Sequence, residues 1–173
     1  ASRTMQIAQK LYQGIEIDGE TIGLITYMRT DGTNLSTDAI DTFRKYIKNE
    51  FGDEYVPDNA ASYSGKKAKN AQEAHEAIRP TDIMRAPDTV KKYLSPDQHK
   101  LYDLIWSRAL SSQMKPAQFD RNTITITSDD NETICKASGS VIKFDGFLKV
   151  MKDTKKDDDE DILPEMNKGP VNI

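Results

Sequence analysis

The sequence has little cysteine, little histidine and no long apolar run, and each shortage removes a class of protein. A single cysteine, Cys135, in 173 residues excludes an internal disulfide framework and a multi-cysteine zinc site. That usage suits a reduced, cytosolic setting. His75 and His99 are the two histidines, so any histidine chemistry in the chain must use one of them. No apolar stretch approaches the roughly 20 residues needed to span a bilayer. The opening residues, Ala1-Ser2-Arg3-Thr4, carry no apolar signal core. A GxxxxGK[ST] phosphate loop, a GxGxxG after a strand and an HExxH pair are all missing. Hydrophobic residues make up only 36% and mean hydropathy is −0.69. Even so, one tryptophan, seven tyrosines, five phenylalanines and periodic apolar positions argue against disorder.

The charge is low and uneven. The formal net charge is −4 and the sequence pI about 5.3, which as bulk figures count against nucleic-acid binding. Residues 1–116 carry 16 basic and 16 acidic side chains, whereas residues 117–173 carry 8 and 12. The composition changes at the same place, from helical periodicity before Pro116 to a period of two after it. The chain therefore reads as α+β, mainly helical before Pro116 and antiparallel β after it.

In the first part, helices are expected over Arg3–Tyr12, with Ser2 as cap and Gly14 as a left-handed stop, and over Thr37–Phe51 behind Ser36. A strand is expected over Ile22–Arg29, and a short helical turn over Gln72–Ile78 that stops at Pro80. Further helices are expected over Asp88–Tyr93 and from Pro96 to about Gln113. The last has a Ser95/Gln98 capping box and an apolar face of Leu101, Leu104, Ile105 and Ala109. After Pro116, strands are expected at Asn122–Thr127, Thr133–Ala137, Val141–Phe144 and Phe147–Val150.

Chemistry can be placed at two constellations. Tyr27 and Arg29 lie two apart on the expected strand and so share a face. A phenol is a weak nucleophile at neutral pH; a nearby guanidinium favours the phenolate and binds phosphate oxygens. The pair therefore suits phosphoryl transfer to tyrosine, or else is an ordinary exposed Tyr–Arg pair. Thr30 and Asp31 open a polar turn beside it. His75 lies within AQEAHEAIRPT, flanked by Glu73 and Glu76 and followed by Arg79, and the same spacing fits a plain i, i+4 pair on a short helix. Lys66, Lys67 and Lys69 form a basic loop that is either solvated or in contact with phosphates. His99 reads as a surface histidine, Trp106 as core, and Asp157–Asp161 as a solvated acidic run.

Together the two constellations resemble a known pattern. GLITYMRTD at Gly23–Asp31, followed by AQEAHEAIRPT, is similar to the active-site region of type IA topoisomerases of the bacterial topoisomerase I branch. SRTMQIAQKLY resembles the helix before the tyrosine strand, and FDGFLKV resembles the family's β domain. Gly32 departs from a serine common in the family. The resemblance implies a CAP-like, winged-helix-related tyrosine domain over 1–114 and part of the β-rich arch over 115–173. It implies an enzyme that relaxes negatively supercoiled DNA without ATP by cutting and rejoining one strand. Tyr27 would be the nucleophile forming a 5′-phosphotyrosine, Arg29 would stabilise the scissile phosphate, and His75 would contact it or its neighbour. Thr30, Asp31, Glu73 and Glu76 would support the site, and Lys66, Lys67, Lys69 and Arg79 would meet DNA. The expected partners are single-stranded DNA and the remaining domains of the same polypeptide, with no membrane, in the cytoplasm at the nucleoid. Mg2+ would bind to a Toprim domain preceding this region, and no metal ligand is expected within the chain, which reads as an internal fragment inactive by itself. A non-catalytic, single-strand-binding winged-helix module is the alternative.

Overall fold

The computed structural model describes residues 2–30, 32–63, 75–128 and 132–151. The chain divides into two compact units, Ala1–Lys115 and Pro116–Ile173. It mixes helices with short antiparallel sheets and is α+β.

The first unit opens with α1, Ser2–Gln13, whose buried residues are Ala8 and Leu11. Gly14 follows at φ 131°, and its N–H returns to the Lys10 carbonyl, as a left-handed stop requires. Next comes a hairpin absent from the sequence reading, β1 (Ile15–Ile17) against β2 (Glu20–Ile22). Its turn is Asp18-Gly19, both at positive φ, the pair that a two-residue hairpin favours. Tyr93 donates a hydrogen bond to Asp18 and so ties this turn to the 3-10 turn Lys91–Tyr93.

The expected strand over Ile22–Arg29 is not formed as such. Regular pairing stops at Ile22, and beyond it only Ile25 makes a bridge, to Pro80. Leu24 and Ile25 are both buried, so the strict alternation of faces also fails. The reason is that this segment runs through the core with a neighbour on each side: Leu24 N–H bonds to Leu11 O and Thr26 N–H to Arg79 O.

Helix α2 spans Thr37–Phe51 as expected, with the Ser36 side chain accepting from Ala39 N–H and Gly52 ending it. Ala39, Phe43 and Ile47 form its buried stripe at intervals of four. The expected Asp88–Tyr93 helix is a single turn, α3 (Pro87–Val90), plus the 3-10 turn. Helix α4, Pro96–Ser111, carries the full Ser95/Gln98 capping box. Its buried face differs from the expected one. Tyr102, Trp106, Ala109 and Leu110 point inward, while Leu104 is 52% exposed. Apolar residues lie on several sides of α4, and two aromatics with polar tips decide the rotation. Tyr102 OH donates to Arg85 O (2.7 Å) and Trp106 Nε1 to Ile83 O (3.0 Å).

Gln113, just past α4, is fully buried. Its amide clamps Ala61 from both ends, Oε1 accepting from Ala61 N–H (3.2 Å) and Nε2 donating to Ala61 O (3.1 Å). Tyr63 OH donates to Ser112 O nearby. Gln113→Leu leaves both Ala61 groups unsatisfied, and we expect it to cost about 2–4 kcal/mol of stability, read from urea unfolding. An unfolding midpoint equal to wild type would mean that the clamp contributes nothing.

The second unit is a hairpin, β3 (Gln118–Thr127) against β4 (Ile134–Phe144). The separate strands expected at Thr133–Ala137 and Val141–Phe144 are one strand. Gly139 lies opposite Asn122, and Thr123 and Ser138 share a side-chain hydrogen bond, so pairing runs through the small residues between them. Phe147–Val150 is not a strand; Gly146–Lys149 is a 3-10 turn entered with Gly146 at φ 49°. Among the described residues β3 and β4 pair only with each other. No helix among the described residues is long and apolar enough to cross a membrane.

Candidate active site

Residues 24–30 and 32–34 run beside the chain from His75 to Thr81. Thr81 N–H bonds to Leu24 O, Thr26 N–H to Arg79 O, and Ala77 N–H to Asn34 O (2.8 Å). Thr26 adds its hydroxyl, donating to Ala77 O (2.8 Å) and accepting from Arg79 N–H (3.0 Å). These bonds explain why the expected turn over Gln72–Ile78 does not hold for its described part. Residues 75–79 form no helix, because their backbone groups bond across to the tyrosine segment. Residues 72–74 lie outside the described residues.

Gly32 sits where this pairing is tightest. A Cβ there would overlap the His75 carbonyl, so a side chain at 32 could enter only by displacing the His75 backbone. That is a physical reason for glycine at this position.

The pairing brings three of the expected site residues together. The Tyr27 ring meets the His75 ring edge-on, centroids 5.4 Å apart. Arg29 Nη1 donates to His75 Nε2 at 3.3 Å, across 46 residues of sequence. Arginine has no acceptor, so this bond makes Nε2 the accepting nitrogen and leaves the ring proton on Nδ1. Tyr27 is 44% exposed, and Arg29 and Thr30 are exposed beside it. The site is thus an open surface on which a phenol, a guanidinium and an imidazole converge. Tyr102 is placed differently. It is buried, and burial, with help from Asp82, pushes its phenol up and away from reactivity.

Glu76 and Arg79 turn inward. Arg79 donates from Nε and Nη2 to the Glu76 carboxylate (2.7 and 3.1 Å) and from Nη1 to Pro80 O (2.9 Å). Its pairing partner is therefore Glu76, not His75, and its fork faces the protein where a phosphate contact was expected. Glu76 Oε1 also accepts from Ser36 N–H at the start of α2 (2.9 Å), which locks the histidine segment to that helix. Asp31, Lys66, Lys67, Lys69 and Glu73 lie outside the described residues.

Burial alone would raise the Glu76 carboxyl. The Arg79 hydrogen bonds, the Ser36 amide and the Arg79 charge together outweigh it and hold the carboxyl below its usual value of 4.5. A lowered folded-state value favours the folded state above the ordinary glutamate range, and the benefit disappears as pH falls through the lowered value. We therefore expect wild-type stability to decline below that range more steeply than that of Glu76→Gln. Denaturant midpoints between pH 3 and 7 check this, and parallel curves would contradict it.

Sequence reasoning missed two residues of this neighbourhood. Thr26 carries no role in the sequence pattern, although a hydroxyl beside buried apolar positions signals a bonded group. Tyr12 was read only as part of a helix. Its ring packs edge-on to Tyr27 at 5.3 Å. The available signal was a large aromatic next to Leu11, off the buried face of α1.

An open polar cleft of about 610 Å³, lined by Arg3, Lys10, Gln13, Ser95, Asp97 and Gln98 among others, includes none of the site residues. No group of three or more His, Cys, Asp or Glu that could hold a metal occurs among the described residues.

The pairing of the tyrosine and histidine segments thus sets a phenol, a guanidinium and an imidazole side by side. The sequence model of the DNA topoisomerase family matches residues 1–172, and the chain belongs to that family. It is 52% identical over 161 residues to DNA topoisomerase 1 of Rickettsia typhi, covering 93% of this chain and 20% of that protein. It is 45% identical over 167 residues to DNA topoisomerase 1 of Salmonella typhimurium, covering 96% and 18%. Full-length topoisomerase I from Thermotoga maritima superposes with a TM-score of 0.75 at 42% identity, over 89% of this chain and 24% of that one. The chain thus spans about one fifth of the length of the curated relatives it matches.

Proposed function

We propose that this chain carries the nucleophilic part of a type IA topoisomerase site, which cuts and rejoins one strand of negatively supercoiled DNA. The observation that carries the reading is the convergence of exposed Tyr27 and Arg29 on His75 from segments 46 residues apart. The Tyr27 phenolic oxygen attacks a backbone phosphorus as the bond from phosphorus to the 3′-oxygen breaks. The phenol gives up its proton and the released 3′-oxygen gains one. The product is a 5′-phosphotyrosine and a free 3′-hydroxyl, and reversal rejoins the strand without ATP because the phosphodiester has been exchanged, not hydrolysed. Arg29 offsets the negative charge that builds on the phosphate. His75, accepting from Arg29 at Nε2, has Nδ1–H available to a phosphate oxygen.

Residues 1–114 serve as the tyrosine domain and 115–173 as part of the arch. Single-stranded DNA is the substrate and the cytoplasm the setting, at the nucleoid. The acidic ligands of a Toprim domain belong to the remainder of the polypeptide, and the 173 residues alone give no relaxation. The test places this chain in the Salmonella typhimurium protein in place of its matching segment. The chimera is incubated with end-labelled single-stranded oligonucleotide and quenched with detergent. An adduct mapping to the Tyr27 peptide is expected, and an adduct at any other residue overturns the reading.

A further inference from the structure

We propose that Tyr12 is a positioning residue for Tyr27, an inference that rests on Tyr27 being the nucleophile. Three contacts bind the last turn of α1 to the tyrosine segment. Leu24 N–H bonds to Leu11 O at 2.8 Å. A Cβ on Gly23 would lie 2.7 Å from Tyr12 O, so only glycine lets the two backbones approach this closely. The Tyr12 ring then meets the Tyr27 ring at 5.3 Å and 62°.

The backbone contacts set where Tyr12 stands, and the ring contact transmits that placement to the phenol. Tyr27 therefore has an aromatic neighbour from α1 and another, His75, from the paired segment. Tyr12 is itself 42% exposed, so core filling does not account for it. An exposed phenol without these neighbours samples other rotamers and loses the alignment that in-line attack on phosphorus requires. The contact is made by ring edge and face, so the Tyr12 hydroxyl is dispensable and the ring is not.

Tyr12 is replaced by Phe, Leu and Ala in the Salmonella chimera, and oligonucleotide affinity and single-turnover adduct formation are measured separately. With unchanged affinity, Tyr12→Ala and Tyr12→Leu should slow adduct formation about tenfold, and Tyr12→Phe should restore it. In the 173-residue chain with 13C-labelled tyrosine, Tyr27 ring resonances should move in Tyr12→Ala and return in Tyr12→Phe. Unchanged adduct rates in Ala, Leu as active as Phe, Phe as slow as Ala, or unmoved Tyr27 resonances would each overturn the inference. Tyr27→Phe separates the two levels. If its adduct persists, the nucleophile is misassigned; if it vanishes while Tyr12→Ala reacts normally, only the role of Tyr12 fails.

Discussion

Tyr27→Phe is expected to abolish the protein–DNA adduct while leaving the fold and the oligonucleotide affinity of the chimera intact. The substitution removes one oxygen and keeps the ring, so the edge contacts to Tyr12 and His75 persist. Tyr27 is largely at the surface and fills no core position. A loss on the order of 10⁴-fold or more is expected, as for removal of a covalent nucleophile elsewhere. The measurement is single-turnover adduct formation beside equilibrium binding. Adduct at anything near the wild-type rate would remove Tyr27 from the chemistry.

The second large effect is expected at Arg29. Arg29→Ala should lower the adduct rate by about 10²–10³-fold, the range for deleting a donor aimed at developing oxyanion charge. Binding should fall much less, because one phosphate contact is a small share of affinity for a strand. Arg29→Lys should recover only part of the rate. Lysine keeps the charge but has no planar fork to engage His75 Nε2 and a phosphate oxygen at once. If Arg29→Ala weakened binding and left the single-turnover rate unchanged, Arg29 would be a DNA contact and nothing more.

Acidity acts on the same site indirectly. Glu76 touches no expected substrate position, yet it links His75's segment to Ser36 at the start of α2 and to Arg79.

Much of the local structure was legible. Ser36, Ser95, Pro96 and Gln98 marked helix starts at the positions where α2 and α4 begin. Caps are local chemistry, satisfied within a turn, so sequence carries them. The Asp18-Gly19 turn signals a hairpin, but strands of only three residues each carry too little alternation to be read as strands. The rotation of α4 was not legible. Leu101, Leu104 and Ile105 compete with Tyr102 and Trp106 for the interior, and the carbonyls of Ile83 and Arg85, distant in sequence, decide between them.

The site divides along the same line. Residue type and spacing left Tyr27, Arg29 and His75 open to ordinary readings, and the resemblance of their two motifs to a family pattern singled them out. Nothing in AQEAHEAIRPT told whether the histidine rides a helix beside Arg79 or lies extended beside Tyr27. That was decided by hydrogen bonds closing over about fifty residues: Ala77 to Asn34, Arg79 to Thr26, Thr81 to Leu24. A peptide group bonds to whatever partner the fold brings near, and that partner is set by packing at a distance. The sequence by itself supplied the candidate groups and the family pattern they fit; tertiary pairing decided that Tyr27, Arg29 and His75 meet, that Arg79 turns inward to Glu76, and that Tyr12 stands against the phenol.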